Sequence, residues 1–104
     1  TIRGAVASWS KTLATELAAD GITVNNVLPG FTDTERLAYI FEIQAKAAGR
    51  TPQEMADAAR GSVPAARFAK PEEQGAAIAF LASPLAAYIT GVNLPVDGGR
   101  TRSL

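Results

Sequence analysis

The sequence contains no cysteine and no histidine among its 104 residues. Without cysteine, no disulfide framework and no thiolate metal site can form. Without histidine, a hydrolytic triad built on imidazole and a histidine-ligated metal are both excluded within this chain. We therefore predict no metal site in these residues.

The sequence also has no excess of charge of one sign and no long apolar run. Ten basic residues balance ten acidic ones, and the apolar runs are far shorter than the roughly 20 residues needed to span a bilayer. Neither nucleic acid nor a membrane is therefore predicted as a partner, and a cytoplasmic location is expected. The chain opens with Thr1 rather than methionine, so we expect it to have been processed or cut from a longer polypeptide.

The sequence does contain four segments with helical periodicity or helix-end signals. The first carries Val6, Trp9, Leu13 and Leu17 at intervals of three and four, which predicts one apolar helix face. The predicted helix ends are Gly21 for the first helix, Thr34 and Gly49 for the second, Thr51 and Gly61 for the third, and Pro71 and Ser83 for the fourth.

Two short extended segments alternate with these helices. ITVNNVL at 22–28 is β-branched and apolar, and VNLPV at 92–96 is followed by a turn at Asp97-Gly98-Gly99. This alternation predicts an α/β protein with a parallel sheet. Two buried strands cannot form a stable sheet alone, so we expect the chain to be an incomplete part of a larger fold.

The end of the first predicted strand is the strongest candidate for a binding site. Ligands of open parallel sheets bind beyond the carboxyl ends of the strands, where Pro29 and Gly30 stand here. Thr32 and Thr34 then offer backbone N–H and hydroxyl groups at a helix start, suited to an amide or a phosphate. On local grounds alone, a common turn is the simpler interpretation.

Several separated motifs resemble the C-terminal half of short-chain dehydrogenases/reductases. GITVNNVLPGFTDT at 21–34 resembles the G-I-x-V-N-x-x-x-P-G-x-x-x-T segment of that family. RFAKPEE at 67–73, FLAS at 80–83, YITG at 88–91 and VDGG at 96–99 follow in the family's order and spacing. The resemblance covers essentially the whole of residues 1–104.

The resemblance implies the C-terminal part of a single Rossmann-like domain, doubly wound around a parallel sheet. NAD or NADP would lie across the carboxyl edge of that sheet. By carry-over, the Thr32 backbone and the Thr34 hydroxyl would contact the nicotinamide carboxamide, and Pro29 and Gly30 would shape the floor beside the ring. A plain helix cap is the alternative role of Thr34.

The family's catalytic Tyr-x-x-x-Lys motif falls only partly within the chain. Alignment places Arg3 at the lysine position, as a catalytic and ribose-binding candidate, and puts the tyrosine two residues before Thr1. Arginine keeps the positive charge, but its planar guanidinium is larger than an ammonium and fits such a site less well. The alternative is that Arg3 is solvated, with only its stem packed.

Residues 35–62 match the family's variable substrate-binding helices. Leu37, Tyr39, Ile40, Phe41 and Met55 are candidates for a lid over an apolar substrate, although plain core packing is favoured for such a stripe.

The resemblance also implies partners. These are a carbonyl or alcohol substrate, the N-terminal part of the domain, and further copies of the protein in a homodimer or homotetramer. Trp9 lies on a helix that pairs between copies in the family, while a core position is about equally expected for it.

Three functional hypotheses follow. The leading one is an NAD(P)-dependent oxidoreductase in which this chain, inactive alone, supplies the nicotinamide side and the substrate helices. The second is a non-catalytic cofactor-binding or oligomerising scaffold, favoured by Arg3 in place of lysine. The third is a free-standing helical interaction domain, which requires the chain to fold cooperatively by itself.

Overall fold

The computed structural model describes residues 2–102, and the side chain of Arg3 lies outside the described part. Four helices and two strands follow one another in α/β order, as predicted. Their bounds are α1 Ile2–Leu17, β1 Asn26–Pro29, α2 Glu35–Ala48, α3 Pro52–Gly61, α4 Pro71–Ala82 and β2 Asn93–Val96. Short 3₁₀ turns follow α1 at Ala18–Asp20 and α4 at Pro84–Ala86.

The helix ends form where the local sequence specified them. Gly21 and Gly49 adopt left-handed conformations, with φ of 73° and 66°, and so end the first two helical segments. At the start of α3, the Thr51 hydroxyl accepts from the Glu54 N–H while the Glu54 carboxylate accepts from the Thr51 N–H. This reciprocal capping box satisfies two N–H groups that the helix leaves unpaired.

The two strands pair in parallel, which confirms the predicted fold class. The register runs from Asn26 opposite Asn93 to Pro29 opposite Val96. β1 begins four residues later than predicted, because regular pairing starts only where β2 begins. Before that point the Val24 N–H donates to the Thr90 hydroxyl instead of to a strand carbonyl.

Only a small core is enclosed. The buried apolar residues are Ala14, Phe41, Ala45, Val63 and Ala86. The accessible surface is 7563 Å², against about 5,500 Å² for a compact protein of this mass. Much apolar surface is therefore left uncovered by the described elements.

The buried side of α1 differs from its predicted apolar stripe. Ser10 and Ala14 face inward, while Val6 and Trp9 are 47% and 64% exposed. The Ser10 hydroxyl lies 3.4 Å from the Asn26 side chain at the start of β1, an approach that small residues allow. Leu13 and Leu17 of the predicted stripe are half-buried, so only its first half projects outward. No helix in the described residues has the length and apolar character needed to cross a membrane.

Candidate functional site

A cleft opens at the carboxyl ends of the two parallel strands. It has a volume of about 610 Å³, is partly open to solvent, and runs from the strand ends back along β1 to Asn26, beside the first turns of α1. Pro29 and Gly30 line it together with Asp97, Arg100 and Thr101. The structure thus has the parallel pairing that the sequence interpretation required, and a cleft that reaches Pro29 and Gly30 but not residues 31–34.

Gly30 allows the closest backbone approach at this strand edge. A Cβ atom added there would lie 2.7 Å from both the Cα and the Cβ of Asp97, closer than folded proteins permit. The Gly30 N–H also donates to the Val96 carbonyl at 3.0 Å and so extends the strand pairing by one residue. Only glycine fits this position without displacing Asp97, whereas its role beside a nicotinamide ring stays a prediction.

Asp97 closes the turn that follows β2. Its carboxylate accepts from the backbone N–H groups of Gly99 and Thr101, each at 3.0 Å. Hydrogen bonding from the Thr101 side chain, supported by these backbone groups, lowers the pKa of Asp97 below its usual value. The carboxylate therefore stabilises the turn, while the Cα and Cβ of Asp97 limit the space beside Gly30.

Residues 29–34, here called the exit loop, are held from one side by a short parallel bridge. Ala69 donates to the Phe31 carbonyl at 2.9 Å and accepts from the Asp33 N–H at 2.8 Å. Because N–H and C=O groups alternate in direction along extended backbone, those of Thr32 point away from Ala69. Within the described part of the chain, no hydrogen bond engages the Thr32 N–H or C=O.

Thr34 caps α2. Its hydroxyl oxygen accepts from the Leu37 N–H at 3.2 Å, and its backbone is extended. The capping alternative is therefore confirmed, and the hydroxyl proton is not consumed by this bond. Together with Thr32, the exit loop offers a donor, an acceptor and a hydroxyl, which complement a primary amide. Neither threonine lines the cleft itself.

Arg3 lies in the first turn of α1, and its neighbours Ile2 and Gly4 line the cleft. Its side chain is outside the described part of the structure, so its contact with a ribose or a tyrosine stays a prediction.

An aromatic cluster joins the exit loop to the predicted substrate helices. Phe68 packs edge-on against Phe31 and stacked on Phe41, with ring centroids 5.9 and 5.8 Å apart. The guanidinium groups of Arg60 and Arg100 cover Phe68 and Phe31 at 4.8 and 4.6 Å. Phe41 therefore belongs to the core, as was favoured, and the sequence carried no signal that these distant rings would meet.

The other lid candidates divide between packing and exposure. Leu37, Ile40 and Met55 are half-buried, whereas Tyr39 is 62% exposed. Tyr39 and Ile43 line a separate groove near the C-terminal end of α2. The assignment of residues 35–62 to substrate binding stays a prediction.

A two-pronged ion pair fixes the segment that carries Ala69. Both terminal nitrogens of Arg67 contact the Glu73 carboxylate, at 2.6 and 2.8 Å. The Lys70 N–H donates to the same carboxylate at 2.9 Å. The Arg67 guanidinium, followed by that backbone bond, lowers the pKa of Glu73 from 4.5 to about 2.

Comparison with known proteins identifies the family. The family model described as enoyl-(acyl carrier protein) reductase matches residues 1–101. The 3-oxoacyl-[acyl-carrier-protein] reductase FabG of Vibrio cholerae is 42% identical over 97 residues, covering 93% of this chain and 35% of that protein. The chain belongs to the short-chain dehydrogenase/reductase family.

Solved structures of the family share the fold of this chain. A short-chain dehydrogenase family protein from Francisella tularensis matches 96% of the chain with a TM-score of 0.89 at 34% identity, over 41% of its own length. L-sorbose reductase from Gluconobacter frateurii, solved with NADPH and L-sorbose, matches 97% at a TM-score of 0.86 and 34% identity, over 39% of its length. The chain thus spans little more than a third of the relatives that it matches.

Proposed function

We propose that this chain is the nicotinamide-side half of an NAD(P)-dependent oxidoreductase that moves hydride between the cofactor and a carbonyl or alcohol substrate. The observation that carries the proposal is the exit loop. It leaves the carboxyl end of a parallel strand with the Thr32 N–H and C=O directed away from Ala69 and not hydrogen-bonded to any residue that the structure describes. Membership of the family and the NADPH complex of a related reductase add support.

In this proposal NAD or NADP supplies the hydride, and the residues of this chain orient it. The Thr32 N–H and C=O would bind the carboxamide oxygen and amino group, respectively, and the Thr34 hydroxyl would donate to the carboxamide while its oxygen caps α2. Pro29 and Gly30 would form the floor beside the nicotinamide ring. Arg3 would donate to the ribose and favour the charged form of an upstream tyrosine.

Residues 1–104 are proposed to work as the C-terminal part of one Rossmann-like domain, with residues 35–62 closing over the substrate. The remainder of the domain would then be an obligatory partner. An intact mass of roughly two to three times that of this chain, the size of a whole nucleotide-binding domain, is expected for the protein isolated from its source. A mass equal to that of the chain alone would contradict this arrangement.

The activity test compares the full-length protein with the 104-residue chain. The full-length protein, given NADPH or NADH and a panel of ketones, is expected to consume reduced cofactor, and the chain alone is expected to show no turnover. Consumption by the isolated chain would overturn the half-domain proposal. Absence of both turnover and cofactor binding in the full-length protein would overturn the oxidoreductase proposal.

A non-catalytic scaffold is the second candidate, and Arg3 at the lysine position favours it. The scaffold predicts cofactor binding without turnover, and a residue other than tyrosine two positions before Thr1. Arg3→Lys separates the two candidates: it should preserve or raise turnover in an enzyme and leave a scaffold inactive.

A homodimer or homotetramer in the cytoplasm is proposed for the intact protein. The support within this chain is the exposed apolar stripe of α1, formed by Ile2, Val6 and Trp9, which are 85%, 47% and 64% exposed. Ile2 and Val6 also line the cleft, so Trp9 is the stripe residue that supports a contact between copies. Such a stripe on a helix is typical of a surface that another element covers.

A further inference from the structure

Gln74 contacts the exit loop from α4, across 42 positions of sequence. Its amide Nε2 lies 2.8 Å from the Val96 carbonyl oxygen and 3.4 Å from the Thr32 hydroxyl oxygen. An amide nitrogen carries two protons, so both bonds can form at once. The Gln74 side chain thereby joins the end of β2 to the middle of the exit loop.

The orientation of this amide is fixed by its neighbours. The Val96 carbonyl can only accept, so the atom 2.8 Å away must be the nitrogen. The Thr32 hydroxyl is placed to donate onward to the Gly30 carbonyl at 3.1 Å. A directed chain of donors therefore runs from Gln74 through Thr32 to Gly30.

This orientation leaves the other end of the amide unsatisfied. Gln74 Oε1 is buried and has no hydrogen-bond partner among the described residues. A buried carbonyl without a donor is destabilising, because it has lost its hydrogen bonds to water. Stability alone would favour an apolar side chain of the same length at this position.

The bonds that Gln74 makes are also dispensable for its partners. The Val96 carbonyl already accepts from the Gly30 N–H, and the Thr32 hydroxyl already donates to the Gly30 carbonyl. Removing the amide therefore leaves neither group without a hydrogen bond. What it removes is the link that restrains Thr32 relative to β2.

We propose that Gln74 is a positioning residue that sets the orientation of Thr32 in the exit loop, and through it the affinity for the nicotinamide end of the cofactor. The inference rests on the proposed function, because it needs Thr32 to be the carboxamide ligand. Gln74 touches neither cofactor nor substrate in this account. Its effect is to restrict the conformations of the residue that does.

The test measures affinity for the complete dinucleotide relative to ADP-ribose (or its 2′-phosphate when NADPH is the preferred cofactor), which lacks the nicotinamide. The full-length protein is compared with Gln74→Met, which keeps the length and flexibility of the side chain but loses both donors. Gln74→Met is expected to lower the affinity ratio about five- to tenfold, the effect of a lost hydrogen bond, while ADP-ribose binding stays nearly unchanged and the melting temperature is unchanged or raised. Gln44→Met, at an exposed position of α2, is the matched control and should preserve the ratio.

A second variant tests the same link from its other end. Thr32→Val removes the hydroxyl but keeps the backbone, and should lower the ratio similarly. The double variant with Gln74→Met should lose little more than either alone, because both changes break one chain. If Gln74→Met does not fold, Gln74→Asn replaces it, since its amide is one methylene too short to reach Val96.

The outcomes separate the two proposals. A wild-type protein that binds the dinucleotide no better than ADP-ribose would refute the nicotinamide role of the exit loop. A wild-type preference that survives in Gln74→Met, or an additive double variant, would refute the positioning role and leave the proposed function standing.

Discussion

The exit loop and the apolar stripe of α1 border the same cleft but differ in what surrounds them. The exit loop is held by β2 through Gly30 and by the 67–73 segment through Ala69, all within this chain. The apolar stripe, by contrast, presents Ile2 and Trp9 at 85% and 64% exposure. The described residues therefore contain contacts that shape the candidate site, but none that cover Ile2 and Trp9 of the apolar stripe.

The largest effect is expected where the exit loop is tightest. Gly30→Ala would place a methyl group 2.7 Å from Asp97 backbone and side-chain atoms. Because both neighbours are tied into strand and turn, relief requires the strand ends to separate. We expect a loss of about 1–3 kcal/mol in the free energy of unfolding and loss of dinucleotide binding, measured by denaturation and titration of the full-length protein.

Gly75→Ala is the matched control for that variant. Gly75 lies inside α4, and an added Cβ meets nothing within 4 Å. Alanine favours the helix, so this variant should be more stable by roughly 0.5–1 kcal/mol. Equal destabilisation by both variants would show that the close approach at Gly30 has no special role.

The next effect concerns the apolar stripe. Trp9→Ser should leave dinucleotide binding intact but weaken self-association of the full-length protein about tenfold or more, as truncation of a large interface aromatic does. Light scattering across a dilution series measures this. Tyr39→Ser, which removes a similarly exposed aromatic from α2, is the control. Unchanged assembly of Trp9→Ser would mean that the stripe is covered within the protomer or not at all.

The smallest effect is expected at the surface ion pair that fixes the 67–73 segment. Since the pKa of Glu73 is lowered from 4.5 to about 2, the charged pair stabilises the fold fully above pH 4.5, and this contribution disappears as the pH falls through about 2. Glu73→Gln should therefore flatten the dependence of stability on pH in that interval, with a small change because the pair is exposed.

The neighbouring variant Glu72→Gln provides the comparison for the pH series. Glu72 lies in the same first turn of α4, and no ion pair in the described residues involves it. Its pH profile should follow that of the unaltered protein. If stability depends on pH in the same way in Glu73→Gln and in the unaltered protein, the ion pair between Arg67 and Glu73 does not contribute to stability.

Local signals in the sequence were sufficient for the helix ends and the parallel pair. Gly21, Gly49 and the Thr51 capping box each act within a few residues, so their geometry follows from neighbouring side chains. The Pro29-Gly30 position at the strand end was predictable for the same reason, since the β1 pattern stops there.

The features that the sequence did not predict depend on contacts across long separations. Regular pairing of β1 begins at Asn26 because β2 begins opposite it, and no local pattern encodes that register. Gln74 contacts Thr32, which lies 42 positions earlier in the chain. The sequence around Gln74 by itself indicates only an ordinary helix residue. The inward side of α1 carries Ser10 and Ala14 because close packing there requires small side chains, which an apolar periodicity does not report.

The central claim is that the exit loop binds the nicotinamide carboxamide, and a crystal structure of the full-length protein with bound NAD(P) tests it most directly. The carboxamide oxygen is expected to lie about 2.7–3.2 Å from the Thr32 nitrogen, within hydrogen-bonding distance. A well-ordered nicotinamide whose carboxamide contacts no atom of residues 29–34 would contradict it.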